Sequence, residues 1–335
     1  MITMKTDTLL RTCFKTQLPD RLIIRVDSGA KEGLSFGHLS RCITLANRLK
    51  HMNKTIILFI MANYPEGVEF ARQNGMDVKT IPIDTPPKET ENFWYKEIKR
   101  FKPDWTFIDL PYPGDYDPIC SKIKQFGSKV LFIDDTRFIN VNADIILNTS
   151  VLAPKKMRIR QTDTRYYLGP DFFFFDSPDF IPQKKDKLQV IVSFGGSDPA
   201  ELSRRVIHVI TNTQFSQPFD LSLVLGPGYK KLHPAAVQTF KTNEKINIID
   251  SPKNIYPYFM VSDLAICAGG RTLYELNELG TPALAIASIH HEKEVVKQFL
   301  KNRIISEGLV NWNEKKFICA FARDLKRISK DRQQL

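Results

Sequence analysis

Residues 263–287 read DLAICAGGRTLYELNELGTPALAIA. The run from Leu264 to Ala268 is bounded by Asp263 and by Gly269-Gly270, and a short apolar run closed by glycines predicts a buried strand ending in a tight turn. A helix follows. Leu273, Leu276 and Leu279 recur at helical spacing, Gly280 sits where a C-terminus takes a left-handed residue, and Pro282 blocks continuation. A second strand starts at Ala283. Strand, glycine turn, helix and strand make one βαβ unit, and its turn offers backbone N–H groups at the positive end of a helix dipole. Such a turn, with Arg271 and Thr272 just beyond it, suits an anion. Glu275, one turn inside the helix, is placed to reach back and accept hydrogen bonds from hydroxyls such as a ribose offers. The plainer alternative is a tight βα turn with Glu275 solvated on the helix.

The same grammar runs upstream. From Leu188 the chain reads LQVIVSFGGSDP, then FDLSLVLGPG and KINIID, each an apolar strand ending in a turn. Gly195-Gly196-Ser197-Asp198 closes the first of these and precedes the helical ELSRRVIHVI, so it is expected at the same sheet edge as Gly269-Gly270. Two glycine turns at helix N-termini, a few strands apart, suit a diphosphate better than one. Neither has the spacing of a P-loop or of a full dinucleotide fingerprint, which argues against ATP hydrolysis and NAD redox chemistry.

The first half of the chain repeats the architecture. RLIIRVD (residues 21–27) reads as a strand, SGAKEGLSFG as a loop, and HLSRCITLANRLKHM as a helix beginning near Gly37-His38, with Leu39, Ile43 and Leu49 on one face. A histidine at a helix N-terminus, at the carboxyl edge of parallel strands, is placed to exchange a proton near neutral pH. Its plainer role is a helix-terminal residue bonded to a carbonyl. Further strands are expected at 55–61, 78–83, 105–110, 129–134 and 143–148. Asp27, Asp109, Asp134-Asp135 and Asn148 fall at carboxyl ends, the ligand-binding edge of such sheets, although at least half of these should cap following helices. Asp109 leads into a proline-stiffened loop carrying Tyr112, Asp115 and Tyr116. The fold class is therefore α/β, with parallel sheets in both halves.

Residues 167–187, YLGPDFFFFDSPDFIPQKKDK, are rich in Pro, Phe and charge and mark a linker, with its phenylalanines expected at a domain junction. We place the domains at 1–170 and 188–335, joined by 171–187, with the last helix packing back on the first domain. A chain of 335 residues has room for two such cores.

Composition narrows the function classes. Hydrophobic content of 42% and charged content of 25% are those of a soluble globular protein. No apolar run reaches the ~18 residues of a membrane span, and MITMKTDTLLRTCFKTQ lacks the core of a signal peptide, so a cytoplasmic protein is expected. Cys13, Cys42, Cys120, Cys267 and Cys319 form no CxxC pair, which points to reduced thiols rather than zinc or disulfides. A net charge of +11 fits nucleic acid, an acidic membrane or an anionic small molecule. Its densest runs, 95–102 and 315–332, mix acids among the bases at helical spacing, and no RNA- or DNA-binding motif accompanies them. We read them as solvated helix faces and expect no nucleic acid; the alternative is peripheral docking on an anionic membrane.

Several ordered motifs together resemble nucleotide-sugar enzymes of the GT-B architecture, two Rossmann-like domains with parallel sheets facing across a cleft. They are RVDSGAKEGLSFGHLSRCITLA, PDWTFIDLPY, LFIDD, YLGPDF, VSFGGSDP and DLAICAGGRTLYELNELGTPALAI. The family most resembled is that of the UDP-sugar hydrolases of pseudaminic acid biosynthesis and their spore-coat-polysaccharide relatives, with the peptidoglycan N-acetylglucosaminyl transferase more distant. The resemblance implies that Gly195, Gly196, Ser197, Gly269, Gly270, Arg271 and Thr272 hold a UDP diphosphate, that Glu275 binds the ribose, and that 251–255 contact the uracil. It further implies that the first domain holds the sugar, near Asp27, Ser35, Gly37 and Asp109. His38 matches the histidine of the family's GxGH motif, which handles the proton of the attacking water or acceptor, and no cofactor or metal is implied.

Departures from the family pattern fall mainly in the sugar half. Ser35 replaces the first glycine of GxGH. Asp109-Leu110-Pro111-Tyr112 stands where the hydrolases have Asp-His-Tyr, which makes Tyr112 a candidate for the family tyrosine. His290-His291-Glu292 stands for their Glu-Asn-Gln, which adds His290 as a sugar contact and His291 as a second proton carrier. The expected reaction is hydrolysis of a UDP-amino- or deoxysugar at its anomeric carbon, in nonulosonic acid or surface polysaccharide biosynthesis. The alternatives are a glycosyltransferase with a glycan or lipid-linked acceptor, and a nucleotide-sugar-binding protein without catalysis.

Overall fold

The computed structural model describes residues 6–15, 17–31, 34, 36–159, 163–176, 183, 185–301 and 307–333. The chain divides after Asp176 into two units. In the first, the strands are β1 (Arg21–Val26), β2 (Ile56–Ala62), β3 (Asp77–Ile81), β4 (Trp105–Asp109), β5 (Lys129–Ile133), β6 (Ile145–Asn148) and β7 (Arg165–Leu168). Its helices are α1 (Thr6–Cys13), α2 (Phe36–Asn53), α3 (Pro65–Gln73), α4 (Pro87–Phe101), α5 (Asp117–Gln125) and the short α6 (Ala153–Lys156). The sheet is parallel throughout, in the order β3-β2-β1-β4-β5-β6-β7.

Alternation along each strand builds two cores, one per sheet face. Leu22, Ile24, Val26, Phe59, Phe107 and Leu131 pack against Leu39, Cys42, Ala46 and Leu49 of α2 on one side. Ile23, Ile60, Ile108, Val130 and Phe132 pack against Trp94 and Ile98 of α4 and Cys120 and Ile123 of α5 on the other. Helix starts follow local chemistry: α3, α4 and α5 each carry Pro in the first turn, where the missing N–H costs nothing. Pro82 stops β3 short of the expected end at Ile83.

The second unit contains β8 (Leu188–Ser193), β9 (Phe219–Leu225), β10 (Ile246–Asp250), β11 (Leu264–Ala268), β12 (Ala283–Ile286) and β13 (Glu307–Leu309). Its helices are α7 (Leu202–Asn212), α8 (Tyr229–Leu232), α9 (Pro234–Lys241), α10 (Tyr256–Met260), α11 (Arg271–Leu279), α12 (His290–Lys301) and α13 (Glu314–Gln333). The order is β10-β9-β8-β11-β12-β13, again all parallel. The βαβ unit read from residues 263–287 is β11, α11 and β12. Gly280 ends α11 at φ +70°, and the N–H of Thr281 donates to the Leu276 carbonyl at 3.0 Å.

Of the four phenylalanines at 172–175, Phe174 is fully buried in the core of the first unit beside α1, with Phe172 packed against the same cluster. The last helix, α13, turns Phe317, Phe321, Leu325 and Ile328 into the core of the second unit. The basic runs lie on solvent faces: Lys96, Lys99 and Arg100 are exposed on α4, and Lys315, Lys316, Lys326 and Arg327 on α13.

Candidate active site

In each sheet the chain runs outward in one direction from the first strand and then returns to continue in the other. The loops after the two central strands therefore diverge and leave a crevice at their carboxyl ends. In the first unit that switch point lies between β1 and β4, where Val26 pairs in register with Asp109. Helix α2 brings His38, Arg41 and Cys42 onto the end of β4, one turn of a helix placing positions three and four apart on one face.

Asp109 is fully buried and is the hub. His38 Nδ1 lies 2.6 Å from Asp109 Oδ1. Arg41 grips the same carboxylate with both arms of its fork, Nε to Oδ2 at 2.5 Å and Nη2 to Oδ1 at 2.6 Å. The second Arg41 arm, Nη1, pairs with Asp135, whose Oδ1 also accepts from the Thr149 N–H and hydroxyl at 3.3 Å. Burial disfavours the Asp109 anion, but Arg41 and His38 outweigh it and hold the carboxyl well below the usual carboxylate range. The Arg41 guanidinium stays charged against the same burial, because Asp109 faces it. An ionised carboxylate only accepts, so the short bond assigns the hydrogen to His38 Nδ1 and leaves Nε2 as the lone-pair nitrogen. The His38 side chain is 18% exposed, enough to meet a ligand.

A second ion pair occupies the other face of the sheet. Arg25 Nη1 and Nη2 donate to the two oxygens of Asp27 at 2.5 and 2.8 Å, and the Ala62 N–H donates to Asp27 Oδ1 at 2.5 Å. Tyr112 is half-buried with its hydroxyl hydrogen-bonded to Asp27; burial first, then the Asp27 charge, keeps this phenol protonated far above neutral pH. Tyr112 is thus a neutral donor. Asp134 accepts from the N–H groups of Arg137 and Ile139 at 3.2 Å, the loop-capping role that the plainer reading gives such acids.

The sequence-derived residues sort accordingly. His38 and Asp109 meet at this crevice, Gly37 precedes His38 in α2, Tyr112 and Asp27 meet on the other face of the sheet, and Ser35 lies outside the described residues. Asp27 and Asp109 are fully buried, with their oxygens engaged by protein donors. Arg41 and Arg25 fall inside the motif RVDSGAKEGLSFGHLSRCITLA but were given no role there. One signal was available for Arg41: it lies between Leu39, Cys42 and Leu45 on the buried face of α2, where a cation requires a buried partner.

In the second unit the switch point lies between β8 and β11, so both glycine turns fall at it. Gly195 takes φ +80°, and Gly226, on the loop after β9, presses on the turn: a Cβ at Gly226 would stand 2.4 Å from Gly196 Cα. The Gly228 N–H closes the contact on the Gly196 carbonyl at 2.8 Å. The Ser197 hydroxyl is buried there without a hydrogen-bond partner. Asp198, itself buried, accepts from the N–H groups of Leu202 and Ser203 at 3.0 and 2.7 Å. The start of α7 is therefore already capped by an anion. Burial pushes the Asp198 carboxyl up to about 6.

The other turn differs. Gly270 is the N-cap of α11, it contributes no side-chain cap, and the first turn of α11 contains no acid. Gly269 is seated against α12, where a Cβ would meet Val296 Cγ2 at 2.8 Å and Glu292 Cβ at 2.9 Å. Glu292 in turn accepts from the Ser288 N–H at 2.7 Å, holding the start of α12 and with it His290, exposed, and His291, half-buried. Thr272 is half-buried in the first turn of α11. Glu275 is 6% exposed, and its Oε1 accepts from Arg271 Nε at 2.9 Å and from the Tyr256 hydroxyl at 3.2 Å. Burial raises its carboxyl above the ordinary value. Tyr256, at the start of α10, was not foreseen; it joins the 251–255 loop to the ribose candidate. Among the described residues no cluster of three or more His, Cys, Asp or Glu is arranged to hold a metal ion.

No family model matches the chain. It is 26% identical over 296 residues to an uncharacterized protein of Methanocaldococcus jannaschii, a match covering 84% of this chain and 58% of that protein. The chain thus spans little more than half the length of that relative. It is 26% identical over 285 residues to the spore coat polysaccharide biosynthesis protein SpsG of Bacillus subtilis, covering 82% of this chain and 80% of SpsG. It is also 26% identical over 234 residues to the UDP-N-acetylglucosamine–N-acetylmuramyl-(pentapeptide) pyrophosphoryl-undecaprenol N-acetylglucosamine transferase of Thermosipho africanus, covering 67% of this chain and 65% of that one. Among solved structures, MurG of Acinetobacter baumannii superimposes with a TM-score of 0.58 at 12% identity, over 94% of this chain and 92% of MurG.

Proposed function

We propose that this SpsG-like chain of the GT-B fold breaks the anomeric bond of a UDP-amino- or deoxysugar, releasing UDP, in the biosynthesis of a surface polysaccharide. The observation that carries the reading is His38 held through Nδ1 on buried Asp109 at a topological switch point, with Nε2 left as a base. His38 takes the proton of the attacking oxygen, and Tyr112, held on Asp27, serves as a neutral hydroxyl for the sugar. In the second unit, the open start of α11 with Gly269, Gly270, Arg271 and Thr272 stabilises the charge on the departing diphosphate. Gly195, Gly196 and Ser197 contribute backbone and hydroxyl contacts, and Glu275 with Tyr256 takes the ribose. His290 contacts the sugar and His291 is the second proton carrier. This chemistry needs no metal, so turnover is expected to survive a chelator.

Water is the acceptor we favour for the attacking oxygen. The Thermosipho transferase relative supports a second reading, in which the hydroxyl of a glycan or lipid-linked saccharide takes water's place and the exposed bases of α4 and α13 assist work at an anionic membrane. One experiment separates the readings. Purified protein is incubated with UDP-, GDP- and CMP-sugars, with and without chelator, while nucleotide and sugar products are followed by NMR. UDP release in water alone supports hydrolysis; release only after addition of an acceptor supports transfer. Tight UDP-sugar binding with no release under any acceptor condition overturns both and leaves a binding protein.

A further inference from the structure

We infer that Arg41 is a positioning residue for the proton-handling histidine: through Asp109 it fixes the His38 ring and its tautomer, and it sets a cation beside that ring. The inference rests on the role of His38 proposed above. Arg41 holds both Asp109 oxygens, so the carboxylate cannot rotate, and the Nδ1–H of His38 is left one acceptor in one direction. Arg41 Nη2 also lies 3.1 Å from His38 Nδ1; neither nitrogen can accept in this tautomer, so the contact brings a cation against the ring. A bare aspartate at this distance favours the imidazolium, which is useless as a base. Arg41 opposes that.

The charged groups facing His38 are few. Arg41 is on its own helix, Asp109 is at the end of β4, and Asp135, after β5, acts through Arg41. Asp134 pairs with Arg137, although its charge also reaches Arg41, and Asp27 pairs with Arg25 on the opposite sheet face. Cys42 donates its thiol toward Asp109 Oδ2 at 3.5 Å. Asp109 and Arg41 thus form a neutral pair under the histidine, and Asp135 sets how far the cation is compensated. The arrangement differs from a His–Asp dyad, in which the carboxylate stabilises the imidazolium without opposition.

The sign of each perturbation follows. Removing the Arg41 charge takes a cation from beside the ring and moves the His38 titration to higher pH than in the native protein. Removing the Asp135 charge leaves the cation less compensated and moves it to lower pH. The test is long-range proton–nitrogen NMR of the histidines across pH in the native protein, Arg41→Gln, Arg41→Lys and Asp135→Asn, with His38 assigned through His38→Gln. The expected result is an Nδ1–H tautomer in the native protein, an upward shift in Arg41→Gln, a smaller one in Arg41→Lys and a downward shift in Asp135→Asn. The acid limb of kcat/KM should move with each. A folded Arg41→Gln with unchanged tautomer and titration overturns the inference. Should that variant fail to fold, Asp135→Asn decides, because its carboxylate is a quarter exposed and its removal leaves the Arg41–Asp109 fork intact; no shift there overturns it equally. The NMR readout needs no turnover, so a failure of the proposed reaction would appear separately, as the expected His38 shifts in a protein that releases no nucleotide.

Discussion

The two units have the same central strand order and place their candidate sites at the same switch point, yet fill it with opposite chemistry. Between β1 and β4 stand His38, Asp109, Arg41, Arg25 and Asp27, side chains whose charges pair in a buried setting. Between β8 and β11 stand Gly195, Gly196, Gly269 and Gly270, which offer backbone and little else. Topology chooses the location, and side-chain chemistry decides what happens there. Ionisable groups suit proton movement, while close backbone approach suits a phosphate.

The division is testable at both ends. Replacing His38 with Ala should lower turnover by about 10²–10⁴-fold while leaving UDP affinity near native, measured by UDP release and calorimetry; a matching loss of UDP affinity would break the division of labour. Asp109→Asn should lower stability at pH 7 by about 3–5 kcal/mol, because Arg41 loses its buried counter-charge, as read by urea unfolding. The pH dependence has a definite sign. The folded-state value of Asp109 is depressed, so its contribution is present above the ordinary carboxylate range and is lost as pH falls toward the folded value. The difference between native and variant should therefore shrink only in strong acid.

On the other side of the comparison, Gly269→Ala should destabilise by about 1–3 kcal/mol, since its Cβ must displace Val296 and Glu292, and should weaken UDP binding without altering His38 titration. Tyr256→Phe is the mildest change. It removes one hydrogen bond to Glu275, worth about 0.5–1.5 kcal/mol, and should weaken UDP binding several-fold at most. An equal loss of affinity for a free sugar would place the ribose contact elsewhere.

Much of this was legible because parallel strands buried on both faces read as apolar runs, and their carboxyl ends read as Asp or Gly. The runs beginning at Arg21, Trp105, Leu188 and Leu264 read as strands of two parallel sheets; the strand order that makes them central comes from the structure. What escaped did so for physical reasons. β7 and β13, four and three residues long, are edge strands only partly buried, so RYYL and EGL carry no apolar run. The cap on α7 was hidden because Asp198 first takes a left-handed conformation, φ +43°, and then reaches four and five residues ahead. The resemblance supplied His38, but the fork beneath it joins positions 68 apart, and no local pattern links Arg41 to Asp109.

The contact of Gly226 with Gly195-Gly196 joins main chain to main chain, without a side chain between them. Side-chain contacts can be rebuilt by compensating replacements on either partner; this one has no part that can be exchanged. The loops after β8 and β9 consequently behave as one mechanical piece, and a displacement of either must carry the other. Any lineage of this fold that changes residue 226 must redraw both loops together.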